Sequence, residues 1–481
     1  MYVRKDVVII NIVTTILLVF TAMWGGSFNY SQDLESGIIE LTIYCLFIYL
    51  WIFLSSYYVK NRIDIYSILI LITIPFYLGD QLSVLLGYQE YMLASDHSIL
   101  DGIIPNGDIF KAMFYLSESL LALHFGYMIG IKNKVIAVDS HFEGVIAKEN
   151  SQRNKMRFIA LVLYFATIIP ALIIRIYDIY MSMVMGHLAY RLYGAVSGIL
   201  YYFDYFADWF APACLMLLVF CKNSFEQKVA TFSIIGYCGL YLLSGNRMEI
   251  VGIAFATLCV YIYWYDLKIS AGNVIKFAIL GILLISVFLA VGSTRNASGG
   301  FDMFSAETFS NIFGGKFLYS IFETTGNTFT SIANTIRCVP SMIDYNYGKS
   351  VLGSLLYILP SSLREPYLSS IVTHISSVLS PYYYGWNLAG YGSSFITEAF
   401  FNFGYFGLLI ICVYGAITSK IINVIENCDK NKPFVYYAAI YMILEIANAI
   451  RNDLYFIPRH VVLYVLIPYF LSLFLSKRSF R

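Results

Sequence analysis

Charge is what this sequence has least of. Only 13% of its 481 residues are Asp, Glu, Lys or Arg, where a soluble domain carries about 25%. Apolar types make up 59%, more than a soluble fold of this length can bury. The formal net charge of +1, with no basic stripe, excludes nucleic acid as the partner. Cysteine is equally uninformative for metal or redox chemistry. Cys45, Cys214, Cys221, Cys238, Cys259 and Cys412 fall in or beside apolar runs, Cys428 lies in a short charged loop, and only Cys338 falls in the long polar stretch of the second half. No disulfide pair is available there, no Cys-x-x-Cys occurs, and the six histidines show no metal spacing. Asp-x-Asp, P-loop and Gly-x-Ser-x-Gly patterns are also missing. The residues therefore call for no metal and no cofactor.

What is present is a series of apolar blocks of about 20 residues, the length that crosses a hydrocarbon core. Twelve candidates can be read: 7–24, 37–59, 65–87, 110–131, 157–176, 196–221, 229–243, 248–265, 273–292, 397–419, 434–450 and 458–476. The first could pass for a signal peptide, with Arg4 and Lys5 ahead of the run from Val7. That run is too long for a typical signal core, and no small-x-small site follows at Met23-Trp24-Gly25. It reads as an uncleaved span. The expected fold is an all-α integral membrane protein of about twelve transmembrane helices. One large outer loop, with short helices, separates a nine-span bundle (1–292) from a three-span segment (397–481). The loop covers 293–396, and its stretch 351–363 is apolar enough for a helix lying on the membrane surface.

Orientation follows from alternate loops. The N-terminus, 60–62, 132–157, 222–228, 266–276, 420–432 and the C-terminal end carry 20 of the 31 Lys and Arg. The positive-inside rule makes that set cytoplasmic and both termini internal. The kind of base differs between sides. Inside, 14 are Lys and 6 Arg; outside, 3 are Lys and 8 Arg: Arg175, Arg191, Arg247, Arg295, Arg337, Arg364, Arg451 and Arg459. Orientation needs positive charge of either kind. Arg alone offers a planar fork that grips phosphate bidentately and keeps its proton. Snorkelling to headgroups is the alternative for any one of them. Together they point to an outer site for an anionic, phosphorylated ligand.

Several constellations could carry the chemistry. Ser244-Gly245-Asn246-Arg247-Met248-Glu249 forms a short outer turn between two spans, and charged residues at membrane depth are functional by default. A capped turn with a local ion pair is the other reading. Gly292-Ser293-Thr294-Arg295 sets a second Arg at the outer end of the ninth span. The large loop offers Glu323, Arg337, Arg364 and His374, with the aromatic run Tyr382-Tyr383-Tyr384-Gly385-Trp386. Aromatic faces pack on sugar rings; they also anchor loops at the interface. Gly392-Ser393-Ser394-Phe395-Ile396-Thr397-Glu398 precedes Asn402-Phe403-Gly404, and the i, i+4 spacing puts Glu398 and Asn402 on one helix face. Glu398 is a candidate general base, arginine orienter or buried structural partner. Glu445, Asn448, Arg451, Asn452 and Asp453 close the list.

In architecture and in two motifs the chain resembles the oligosaccharide repeat-unit polymerases of the Wzy type, which build O-antigen or capsule. The motifs are Ser-Gly-Asn-Arg at 244–247 and Gly-Ser-Ser-Phe-x-x-Glu at 392–398 followed by Asn402-Phe403-Gly404. The resemblance implies a multi-pass protein of the bacterial inner membrane. Its implied reaction is metal-independent transfer of a glycan from undecaprenyl pyrophosphate to another lipid-linked repeat unit. A chain-length-determining co-polymerase is an implied partner beside the bilayer. On this reading Arg247 and Arg295 hold the pyrophosphate and Glu398 or His374 serves as base. Arg337, Arg364, His374, Glu323, Tyr383, Trp386, Asn402 and Arg451 contact substrate. Competing expectations are a lipid-to-lipid glycan ligase, a polyprenyl-phosphate glycosyltransferase using Asp33 and Glu35, or a flippase for the same lipid. The topology itself is testable: reporter fusions within 293–396 should score as external and fusions within 132–157 as cytoplasmic, and the reverse pattern would overturn the orientation.

Overall fold

The computed structural model describes residues 5–89, 92, 103–131, 143–185, 198–244, 248–267, 317–359, 375–384, 393–454 and 456–478. These residues form helices and connecting turns, with no strand among them. In chain order the helices are α1 (Lys5–Ser27), α2 (Leu34–Lys60), α3 (Ile65–Leu85), α4 (Asn106–Gly130), α5 (Glu143–Met185), α6 (Ile199–Ala207), α7 (Phe210–Phe220), α8 (Ser224–Leu243) and α9 (Met248–Cys259). There follow α10 (Phe317–Cys338), α11 (Lys349–Leu356), α12 (Ile375–Tyr384), α13 (Phe395–Phe403), α14 (Gly407–Glu426), α15 (Pro433–Asn448), α16 (Phe456–Val461) and α17 (Ile467–Arg478). Single π-turns, Val260–Trp264 and Val462–Leu466, extend α9 and α16.

Helix boundaries follow local chemistry. Asn61 ends α2 in the left-handed conformation (φ 53°), and Asp64 then caps α3 by accepting from Ser67 N at 2.8 Å. Asn223 caps α8 through Glu226 N at 2.8 Å, and Ser394 caps α13 through Thr397 N at 3.1 Å.

Among the described residues, seven helical stretches are long and apolar enough to cross a membrane: Lys5–Ser27, Leu34–Lys60, Ile65–Leu85, Gln152–Met185, Ile199–Phe220, Phe395–Glu426 and Phe456–Leu475. The expected twelve are thus not matched in number. Segment 273–292 lies outside the described residues. The other four expected spans coincide with helices of a different kind. α4 is buried on nearly every face and holds Ser117, Glu118, Ser119 and His124 in its interior. α8 dilutes its apolar residues with polar ones, while α9 and α15 are short. A helix surrounded by protein faces no lipid, so its composition need not satisfy the bilayer.

The chain forms two compact units, each built from non-consecutive segments. The first comprises 1–135, 316–423 and 449–458. Aromatic edges join α1 to α4, with Trp24 against Phe114 at 5.3 Å and Phe28 against Phe110 at 5.3 Å. Polar pairs bolt α2 to its neighbours: Tyr49 Oη to Thr73 Oγ1 at 2.9 Å and Ser55 Oγ to His124 Nε2 at 2.8 Å. The buried Asp64 carboxylate also accepts from Tyr127 Oη at 2.6 Å, and the Tyr127 ring stacks on Tyr66. α4 and α14 meet through small residues. A Cβ on Gly126 would lie 1.8 Å from Cys412 O, and one on Gly415 2.1 Å from Leu123 O. Close backbone approach of this kind substitutes for hydrophobic association inside a bilayer.

α10 falls within the expected outer loop, 293–396, for which the sequence predicts short helices. It is a 22-residue helix packed on α3 and α4. A Cβ on Gly79 of α3 would lie 2.7 Å from Phe322 O, and Thr330 Oγ1 donates to Asp80 Oδ2 at 3.3 Å. Its Thr and Ser content conceals it from hydropathy, yet those hydroxyls satisfy themselves on the helix: Thr325 donates to Ile321 O at 2.8 Å and Thr335 to Ser331 O at 2.7 Å.

The second unit comprises 136–315, 424–448 and 459–481. α5 runs 43 residues and packs on α6, α7, α8 and α17. Arg157 Nε donates to Glu226 Oε2 at 2.9 Å near the start of α8. That guanidinium holds the Glu226 carboxyl below its usual range.

Gly126→Leu should wedge α4 from α14 and cost about 1–3 kcal/mol. A drop in the melting temperature of detergent-purified protein checks it. Gly26→Ala is the control, since nothing lies within 4 Å of that Cβ position.

Candidate functional site

Two buried polar clusters stand out, one in each unit. In the first unit the cluster centres on Glu398, 1% exposed in the opening turn of α13. Ser350 Oγ donates to Glu398 Oε1 at 2.8 Å, and Leu454 N donates to Oε2 at 2.6 Å. One carboxylate therefore joins α11, α13 and the 449–454 segment. Asn402, one turn along, donates through Nδ2 to Glu398 O at 2.8 Å and to Ser350 Oγ at 2.6 Å. Its Oδ1 accepts from Gly348 N at 2.9 Å. Tyr347 and Gly348 both adopt left-handed backbone (φ 49° and 80°), which aims their N–H groups at Asn402 O and Oδ1. The expected pairing of Glu398 and Asn402 on one face is thus observed.

Glu398 differs from expectation in its neighbours. No arginine among the described residues shares either oxygen, and the adjacent charged side chain is Asp453. Both oxygens are already held by donors, which suits an orienter better than an exposed base. Arg451 is half-buried in the segment whose Leu454 reaches Glu398. Arg337 lies in the last turn of α10, and its buried Nη1 has no hydrogen-bond partner among the described residues. Glu323 and Tyr383 sit on α10 and α12, with side chains outside the described residues. Arg247, Arg295, Arg364, His374 and Trp386 also lie outside the described residues.

The second cluster centres on Arg175, counted among the outer arginines but given no role from the sequence. Its side chain is 6% exposed within α5. Nη1 pairs with Asp178 Oδ2 at 2.6 Å, Nη2 lies 3.9 Å from Asp204 Oδ1, and the guanidinium sits over the Tyr241 ring at 4.3 Å and the Tyr237 ring at 5.9 Å. Tyr241 stands three residues before Ser244, the first residue of the Ser-Gly-Asn-Arg motif. Ser182 Oγ of α5 donates to Ser244 O at 3.3 Å, and Glu249 acts electrostatically on Tyr237 and Tyr241. The sequence held a signal for this. Arg175 and Asp178, Asp204 and Asp208, and Tyr237 and Tyr241 repeat at i, i+3 or i, i+4 within apolar runs.

The described residues are those of an all-helical, multi-pass membrane protein with guanidinium and carboxylate groups built into its helices. The model of the family described as O-antigen polysaccharide polymerase Wzy matches residues 9–481. The chain belongs to that family, whose members are membrane enzymes that join lipid-linked oligosaccharide repeat units into polysaccharide. No curated protein and no solved structure matches the chain.

Glu398→Gln should cost less than removal of the side chain, because a glutamine still accepts from Leu454 N through its carbonyl and can donate to Ser350 Oγ, so that only the Ser350 hydroxyl proton must find a new acceptor. Glu398→Ala orphans both donors, at about 1–3 kcal/mol each. Melting temperatures should separate the two. A Gln variant of wild-type stability with polymerisation reduced more than about hundredfold would make the carboxylate a chemical participant instead.

Proposed function

We propose that the protein polymerises repeat units by transferring the growing glycan from undecaprenyl pyrophosphate to the non-reducing end of a second lipid-linked unit. The reaction takes place at the outer face of the bacterial inner membrane and without a metal. The observation that carries this reading is the choice of base. Eight of the eleven Lys and Arg residues on the face read as outer are Arg, against 6 of 20 on the other. Breaking the anomeric C–O bond leaves a pyrophosphate, and its developing charge needs fixed positive partners. Guanidiniums at membrane depth supply that charge and cannot be silenced by deprotonation.

Arg247 and Arg295 are assigned to the pyrophosphate. Arg337 and Arg364 are assigned to the glycan, together with Glu323, His374, Tyr383, Trp386, Asn402 and Arg451. Arg337 is supported by a buried Nη1 with a donor to spare. Glu398 is a positioning residue, holding Ser350 and the 449–454 segment that carries Arg451. The Arg175 cluster supports the role of Arg247 by fixing the helix end that leads into its turn. A co-polymerase that sets chain length fits as a partner.

The test is incubation of purified protein with one synthetic undecaprenyl-pyrophosphate repeat unit, read as a gel ladder. Wild type should lengthen the glycan with EDTA present. Arg247→Ala should cut the rate at least about hundredfold, and Arg247→Lys should restore only part of it. Absence of any ladder from active membranes and purified protein alike would favour a flippase.

A further inference from the structure

Transfer to a sugar hydroxyl requires a proton acceptor, and the best-built one among the described residues is in the second unit. His460 lies in α16, one residue past Arg459 and just ahead of the Val462–Leu466 π-turn. Its Nδ1 is 3.0 Å from Glu445 Oε1 of α15. The Glu445 side chain is 5% exposed and that of His460 is 28% exposed. The carboxylate is thus buried while the ring reaches the surface of its cluster. Tyr441, one turn earlier on α15, interacts electrostatically with Glu445. The His460 ring packs against Tyr464, which in turn meets Trp209 edge-on at 4.8 Å.

A carboxylate on one imidazole nitrogen fixes the ring and its tautomer, and directs proton exchange to the other nitrogen. We propose that His460 is the general base of the polymerisation, positioned by Glu445, and that the acceptor sugar hydroxyl is its substrate group. This rests on the glycosyl-transfer reading above. In the step, the acceptor oxygen forms a bond to the donor's anomeric carbon. The anomeric C–O bond to pyrophosphate breaks, and its electron pair leaves with the phosphate oxygen. The acceptor's proton passes to His460 Nε2 and from there to solvent.

The surrounding charges suit this work. Asp208, at the α6–α7 junction, interacts electrostatically with His460, Arg459 and Arg175. Arg459 lies over the Tyr205 ring at 5.9 Å. Among the described residues, the groups that act on the ring include Glu445 of α15, Asp208, and Arg459 and Tyr464 of its own helical segment.

The test uses the full-length protein and the synthetic lipid-linked repeat unit. His460→Asn keeps an amide Nδ2 near the position of Nδ1 for Glu445 and removes the base; His460→Gln is a second variant should Asn fail to fold. Either variant should melt within a few degrees of wild type. kcat should fall about 10²–10⁴-fold, with KM for the donor nearly unchanged and the acid limb of the pH–rate profile lost. Glu445→Gln should lower kcat about tenfold and Glu445→Asp should recover part of it. A folded His460 variant with wild-type kcat and an unchanged acid limb overturns the assignment while leaving the polymerase reading intact. A wild-type protein that forms no ladder removes the reaction on which the assignment rests, and the assignment with it.

Discussion

Arg175 sits in an apolar helix, and a guanidinium there is stable only where its neighbours replace the water it has lost. Asp178 and Asp204 supply opposite charge, and Tyr241 and Tyr237 supply ring faces. Removing one member of such a group leaves the rest exposed to a cost of about 3–5 kcal/mol. α5, α6 and α8 are therefore tied to one another by the need to satisfy a single charge. The first unit has its counterpart in Glu398, whose two oxygens bring together α11, α13 and the 449–454 segment. In each unit, apolar packing provides the bulk of the stability while a buried charge determines which elements meet.

Functional side chains in this protein are accordingly hard to separate from structural ones. Glu398 is both a latch and a neighbour of residues assigned to substrate. His460 is held by Glu445 at 3.0 Å, an arrangement that also joins α15 to α16. Chemistry in a membrane needs preorganised polar groups, because water cannot reorganise around the developing charge. The hydrogen bonds that preorganise a group also pack it, so one network serves both ends.

Some features were readable in advance and others were not, for reasons visible in particular residues. Glu398 and Asn402 could be placed on one face because i, i+4 spacing is a property of any helix. α1, α2 and α3 could be read because their runs face lipid or core with hardly an interruption. α10 could not, since its Thr, Ser and Asn residues resemble a loop until their hydroxyls are seen bonded to the preceding turn. α4 was located, but its interior Glu118 and His124 disguise how completely it is enclosed.

The sequence by itself determined the class of protein, through apolar blocks of spanning length and a scarcity of charge. These depend on composition and local period, which need no partner. The tertiary structure alone decided which charges meet. Glu398 pairs with a serine hydroxyl and a backbone N–H, Arg175 acquires two tyrosine faces, and His460 finds Glu445 across fifteen residues of chain. Such pairings join residues far apart in sequence, and they are fixed by which helix faces pack together, a relation that no local pattern encodes.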